Sequence, residues 1–260
     1  MIDLHTHVLP GIDDGPADLA GSLAIARAAV RAGTQVMAAT PHIGHRYPVV
    51  PEEVPRRVAA LNEALDATGI PLDVVQGGEL AASLAADLSV EELEAITLDG
   101  AGCLLLECPF VESGGVMPAL VAHLQDRGFR VLLAHPERSP ECHHDPELLP
   151  ELVEDGAYVQ LTASSLDGQF GRTVRRYAFA LLDAGLVHVV ASDAHDADAR
   201  GPELVGTVGR AVRHAGLAAA ATRFLTEEAP RALLDGDPVP RFPARARPRR
   251  RTWASRRSGA

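Results

Sequence analysis

The sequence predicts an α/β fold, a (β/α)7-type distorted barrel in one domain, and two observations lead there. Short apolar runs alternate with amphipathic segments that stop at glycine, as expected of parallel strands joined by crossover helices. Residue types that ligate metals then recur at or just past the carboxyl ends of six of those runs. An open doubly wound sheet would satisfy the first observation, but a closed barrel is what brings so many strand ends to one centre.

The first strand runs from Met1 into His5-Thr-His7, followed by Asp13-Asp14-Gly15. A helix over Asp18 to Ala32 places Leu19, Leu23, Ala26 and Val30 on one face, and Gly33 provides the left-handed stop. The strand Gln35 to Thr40 ends in Pro41-His42. A second helix, with Val54, Val58, Leu61 and Leu65 inward, stops at Gly69 before the strand Leu72 to Gln76, with Glu79 just beyond. Cys103 to Glu107 is a strand ending in a carboxylate, and Met117 to Arg127 is a helix stopped by Gly128. Arg130 to His135 is a strand ending in imidazole. Helices with Leu148, Leu149, Leu152 and Val153, and with Val174, Ala178, Leu181 and Leu182, stop at Gly156 and Gly185. The strands Ala157 to Thr162 and Val187 to Ser192 follow them, and the latter leads into Asp193-Ala-His195. Gly201 to Leu234 reads as closing helices.

A chain of 260 residues with 47% hydrophobic content can bury a full core. No run approaches the roughly 18 apolar residues of a membrane helix, and a ligand motif that begins at the start of the chain leaves no room for a signal peptide, so a cytoplasmic protein is expected without membrane insertion. Three cysteines without paired spacing, Cys103, Cys108 and Cys142, fit free thiols in a reducing compartment. The formal charge of -11 argues against a nucleic-acid surface on the barrel. Residues 1–236 are expected to form the barrel and 237–260, rich in arginine and proline, a disordered tail.

In a strand, side chains two apart point the same way, so His5 with His7, and Asp193 with His195, can each grip an ion. With His42, Glu79, Glu107 and His135 they make eight candidate ligands, more than the four to six that one ion accepts, which implies two or three divalent metals. Imidazole and carboxylate suit Mn, Fe, Zn or Co. Paired metals suit in-line displacement at phosphorus, one generating hydroxide from water and both neutralising phosphoryl charge. Arg138 and Arg200 lie on ligand-bearing loops and are suited to fork a phosphate. Asp13 and Asp14 would protonate the leaving group, bind a metal or cap the first helix, and Asp14 is taken as a catalytic candidate. His45 is a candidate for substrate contact. A cysteine phosphatase needs arginine six residues after its nucleophile, where this chain has Pro109, Gly114 and Leu148.

In order, His5-Thr-His7, Asp13-Asp14-Gly15, Thr40-Pro-His42, Gly78-Glu79, Leu106-Glu107, Ala134-His-Pro-Glu-Arg138 and Ala191-Ser-Asp-Ala-His195 resemble the motifs of the polymerase and histidinol phosphatase (PHP) superfamily. Within it, the chain is most similar to bacterial tyrosine-protein phosphatases encoded with capsular and exopolysaccharide synthesis, from Met1 to about Leu234. The resemblance implies a phosphotyrosine phosphatase, usually stimulated by manganese, with a trinuclear centre held by His5, His7, His42, Glu79, Glu107, His135, Asp193 and His195. It implies Arg138 and Arg200 for phosphate, and a tyrosine kinase with a tyrosine-rich tail as partner and substrate. The alternatives are a small-molecule phosphomonoesterase such as a histidinol phosphatase, and a non-catalytic scaffold that docks a kinase.

Overall fold

The computed structural model describes residues 1–243. In chain order the elements are β1 (Ile2–Thr6), α1 (Leu19–Arg31), β2 (Val36–Ala39), β3 (His42–Ile43), α2 (Val54–Ala67), β4 (Asp73–Gln76), β5 (Glu79–Ala81) and α3 (Val90–Ala95). Then come β6 (Cys103–Glu107), α4 (Met117–Asp126), β7 (Arg130–Ala134), α5 (Pro140–His144), α6 (Leu148–Glu154), β8 (Tyr158–Thr162), α7 (Ala163–Asp167), α8 (Gly171–Ala184) and β9 (Val189–Ala191). The chain closes with α9 (Val205–His214), α10 (Ala220–Arg223) and α11 (Ala229–Asp235).

Each strand expected from the sequence is present, but two carry an extra segment beyond their expected ends. Pro41 has no N–H to give a ladder, and it separates β2 from β3. Gly77-Gly78 separates β4 from β5, and Gly78 has no room for a side chain: a Cβ there would stand 2.8 Å from Ile43 and from Ile96. His42 and Glu79 therefore open second strand segments, paired with each other in register, instead of hanging free past a strand end.

All strand pairs are parallel, in one sheet of order β1-β2-β4 and another of order β3-β5-β6-β7-β8-β9. The end of β1 lies beside the segment after β9: the Asp193 N–H donates to the His5 carbonyl at 2.9 Å and the His7 N–H to the Ala194 carbonyl at 2.8 Å. Both strand faces are apolar and covered, as parallel sheets require. Leu4, Leu105, Leu132 and Val189 pack together on one side. Leu104, Leu106, Leu133 and Val190 pack with helix residues Leu124, Leu152 and Leu181 on the other. Asp18 caps α1, accepting the Gly21 N–H at 3.0 Å, which leaves Asp13 and Asp14 out of that role. Ser89 and Glu92 form a reciprocal capping box on α3, a short helix the sequence reading omits.

The tail expected from Asp237 onward begins as packed chain. Phe242 meets Phe224 edge to face at 5.1 Å, and Arg130 donates to the Asp237 carbonyl. The arginine-rich part expected to be disordered, residues 244–260, lies outside the described residues. Among the described residues no helix is long and apolar enough to cross a membrane.

Candidate metal centre

The two-residue spacing at the end of β1 sends His5 and, just past the strand, His7 into one buried space, where Glu79 from β5 and Asp193 from the turn after β9 meet them. His5 Nε2 and His7 Nε2 each lie 3.4 Å from Glu79 Oε2 and 3.6 Å from Asp193 Oδ1. Ligand atoms held tetrahedrally about 2.1 Å from a zinc-sized ion are spaced about 3.4 Å apart, so His5, His7 and Asp193 are placed to share one ion, and Glu79 lies at ligand spacing from both histidines. His5 Nε2 and His7 Nε2 are also buried without a hydrogen-bond partner, a costly arrangement that an ion would relieve. The donor set thus fits divalent metal.

Three further groups overlap this one. Asp14, His42 and His195 converge with His7, and Asp14 Oδ1 lies 3.3 Å from both His42 Nε2 and His195 Nε2. His135 joins Glu79 and His5, its Nε2 being 2.7 Å from Glu79 Oε1. Glu107 joins His42 and Glu79. Glu79 belongs to two of these groups. All eight residues expected as ligands are gathered, and Asp14, taken as a catalytic candidate, lies among the donors.

Partners behind the cluster fix which nitrogen faces inward. His195 Nδ1 donates to the Asp193 carbonyl at 2.9 Å, leaving Nε2 to face the cluster. Gln160 Oε1 accepts the His135 backbone N–H, so the same oxygen, 3.0 Å from His5 Nδ1, also takes that ring's proton. Asp13 does the same for His7, at 2.7 Å, and also accepts the Gly15 and His42 backbone N–H groups. Such outer contacts orient ligands and raise their basicity. Asp13 was visible as part of a motif; Gln160, a neutral amide in an apolar strand, gave no signal. Glu137 was also missed: buried beneath the His135 to Arg138 turn, it accepts from Thr162 N–H at 2.9 Å and Ser165 Oγ at 2.6 Å. Burial pushes its carboxyl up to about 7.

Charge balance follows from the same contacts. Burial alone would raise the Glu79 pKa, but the charge of His5 and hydrogen bonds from His135 and His42 hold it well below the usual range. Glu107, pushed up by partial burial and by repulsion from Glu79, titrates at about 7. Two candidate ligands take strained backbone: His135 has φ 36° and Asp193 φ 55°, left-handed values that bulky residues avoid.

Arg138 and Arg200 do reach this centre. Each donates at 3.1 Å to Asp193 Oδ2, while Oδ1 of the same carboxylate faces the histidines. The Arg138 guanidinium is also stacked 4.5 Å over Phe110 and 4.2 Å over Phe170. The cluster other than His5 and His7, together with both arginines, lines a cavity of about 450 Å³ that also includes His45, Tyr47 and Phe110. None of the thiols is placed for nucleophilic work, since Cys103, Cys108 and Cys142 are all buried and burial pushes the Cys103 thiol up to about 12.

A parallel α/β fold whose strand ends enclose a buried imidazole and carboxylate cluster places the molecule among α/β proteins built around a metal site. The chain belongs to the capsular polysaccharide synthesis CpsB/CapC family, which matches residues 1–234. It is 38% identical over 201 residues to the tyrosine-protein phosphatase YwqE of Bacillus subtilis (strain 168), covering 77% of this chain and 79% of that protein. It is 27% identical over 208 residues to the tyrosine-protein phosphatase CpsB of Streptococcus pneumoniae, covering 78% and 86%. Crystal structures of YwqE from Bacillus subtilis and CpsB from Streptococcus pneumoniae, described as unique metal-dependent tyrosine phosphatases, include a chain that superposes with a TM-score of 0.84. That chain is 35% identical, and the match covers 96% of this chain and 100% of that one.

Proposed function

We propose that this protein is a metal-dependent protein-tyrosine phosphatase that hydrolyses phosphotyrosine on a kinase of capsule or exopolysaccharide synthesis. The observation that carries this reading is the buried donor cluster directly beneath two arginines that converge on Asp193. His5, His7, His42, Glu79, Glu107, His135, Asp193 and His195 would hold two or three divalent ions, manganese by preference, and Asp14 would join them with His42 and His195. Ions bound there supply Lewis-acid charge to phosphoryl oxygens and lower the pKa of water.

The chain's own residues do the rest. Arg138 and Arg200 have guanidinium N–H groups besides those bound to Asp193, and these fork the phosphate. Stacking against Phe170 holds one of these guanidiniums in place. Gln160, Asp13 and the Asp193 carbonyl keep the Nε2 atoms of His5, His7 and His195 turned inward. We further propose that the two sheets are arcs of one distorted barrel, joined through β2 to β3, β4 to β5, and the contacts of His5 and His7 with residues 193 and 194. Residues 1–236 would form this catalytic unit, working in the cytoplasm, where its three buried free thiols suit the reducing conditions.

The test is phosphate release at alkaline pH by metal-stripped protein resupplied singly with Mn, Co, Zn, Fe or Mg. A phosphotyrosine peptide, a phosphoserine peptide and histidinol phosphate are offered side by side. Preferential phosphotyrosine turnover, abolished in a folded His135→Ala variant, is expected. Preference for histidinol phosphate would overturn the substrate, and no turnover with any metal would overturn the enzyme.

A further inference from the structure

Phe110 is a large apolar side chain left 45% exposed at the mouth of the cavity, in the connection between β6 and α4. Its ring lies nearly parallel to that of His135, at 14° and 5.2 Å, and under the Arg138 guanidinium. The connection that carries it is tied down: the Gly115 N–H donates to Glu141 Oε1 at 2.8 Å, and the Ser113 hydroxyl donates to Glu141 Oε2. Glu141 lies in α5, which begins two residues after Arg138, so one short stretch of chain fixes both the guanidinium and the aromatic ring beside it. Tyr47 forms a second aromatic wall of the same cavity, stacked on His42 at 9° and 5.4 Å.

Packing against Arg138 does not by itself account for Phe110. Phe170 already stacks on that guanidinium, at 4.2 Å, and does not line the cavity. Phe110 does line it. In an aryl phosphate a single bridging oxygen separates phosphorus from the ring, so a phosphate held by Arg138, whose guanidinium lies 4.5 Å from Phe110, can place that ring within the 4.5 to 7 Å range of an aromatic pair with Phe110. An alkyl phosphate, such as phosphoserine, offers no face for this contact.

We propose that Phe110 is a specificity-determining residue that selects aryl over alkyl phosphate esters by contacting the substrate ring; the inference rests on the phosphotyrosine reading above. An aromatic pair of ordinary strength corresponds to roughly two- to ten-fold in affinity. The experiment measures dissociation constants by calorimetry on the manganese-loaded protein. The probes are a peptide carrying phosphonomethylphenylalanine, a non-hydrolysable aryl mimic, and inorganic phosphate. Phe110→Leu, which keeps apolar volume but removes the aromatic face, should weaken the aryl probe several-fold and leave inorganic phosphate unchanged. Phe110→Tyr should keep wild-type affinity for both. Phe170→Ala, which disturbs Arg138 from outside the cavity, should weaken both probes together. Equal weakening of both probes by Phe110→Leu would assign Phe110 to holding Arg138 and overturn the proposal, as would no change in either. Should the wild-type protein release no phosphate from phosphotyrosine with any metal, the phosphatase reading itself fails, an outcome seen before any variant is made.

Discussion

At the scale of single residues, Gln160 gives the sharpest prediction, because it is buried, uncharged and bound to a candidate ligand. Its Oε1 holds the Nδ1 proton of His5, which keeps the unpartnered Nε2 free to bind metal. Gln160→Leu should therefore lower metal affinity roughly ten- to hundred-fold while the protein stays folded, and Gln160→Glu, which keeps an acceptor, should recover most of it. Calorimetric titration with manganese reads this directly; an unchanged affinity in the leucine variant would sink the idea. The same residue shows where sequence reading stops. His5, His7, Asp193 and His195 were legible because strand geometry gives a two-residue spacing chemical meaning. Gln160, Glu137 and Phe110 act through partners distant in sequence, and no local pattern marks a lone amide, a carboxylate within a turn or a ring in a loop.

At the scale of elements, the seven expected strands and the helices closed by glycine were legible, since apolar runs punctuated by Gly leave few alternatives. The short segments β3 and β5 were not, because two or three residues carry no periodicity. Their position nevertheless matters, since they set His42 against Glu79. Gly78 is the pivot of that arrangement. Its conformation needs no glycine, as its φ is not in the left-handed region, but Ile43 and Ile96 leave no space for a methyl group. Gly78→Ala should cost about 1 to 3 kcal/mol through overpacking and should displace Glu79 from the donors it shares. Urea unfolding of the metal-free variant measures the first effect and manganese titration the second. A variant as stable as wild type with full metal affinity would mean that this corner of the fold yields more easily than its contacts imply.

At the scale of the whole molecule, strands distant in sequence bring together a cluster of charge that has no reason to exist without a cation. In the metal-free protein protons take that part. Burial alone would lower the His7 pKa, yet the hydrogen bond to Asp13 and the charge of nearby Glu79 outweigh it and push it up to about 10. The folded state thus holds a proton on His7 that the unfolded chain releases near pH 6.5. The stability this provides is fully present below pH 6.5 and is lost as pH rises towards 10. Metal binding runs the other way, since a ligand nitrogen must be unprotonated, and each displaced proton makes apparent affinity rise up to ten-fold per pH unit below the group's pKa. Two consequences follow from one group. Chelated protein should lose melting temperature between pH 6.5 and 9, while the increment on adding manganese should widen over the same range; saturation at a hundred times the dissociation constant is worth about 2.7 kcal/mol. Calorimetry in buffers of different ionisation enthalpy should also show protons released on loading at pH 7.5. A manganese increment that is constant or shrinks with pH would mean that protons are not the cations the metal replaces, and the cluster would then need another account of its charge.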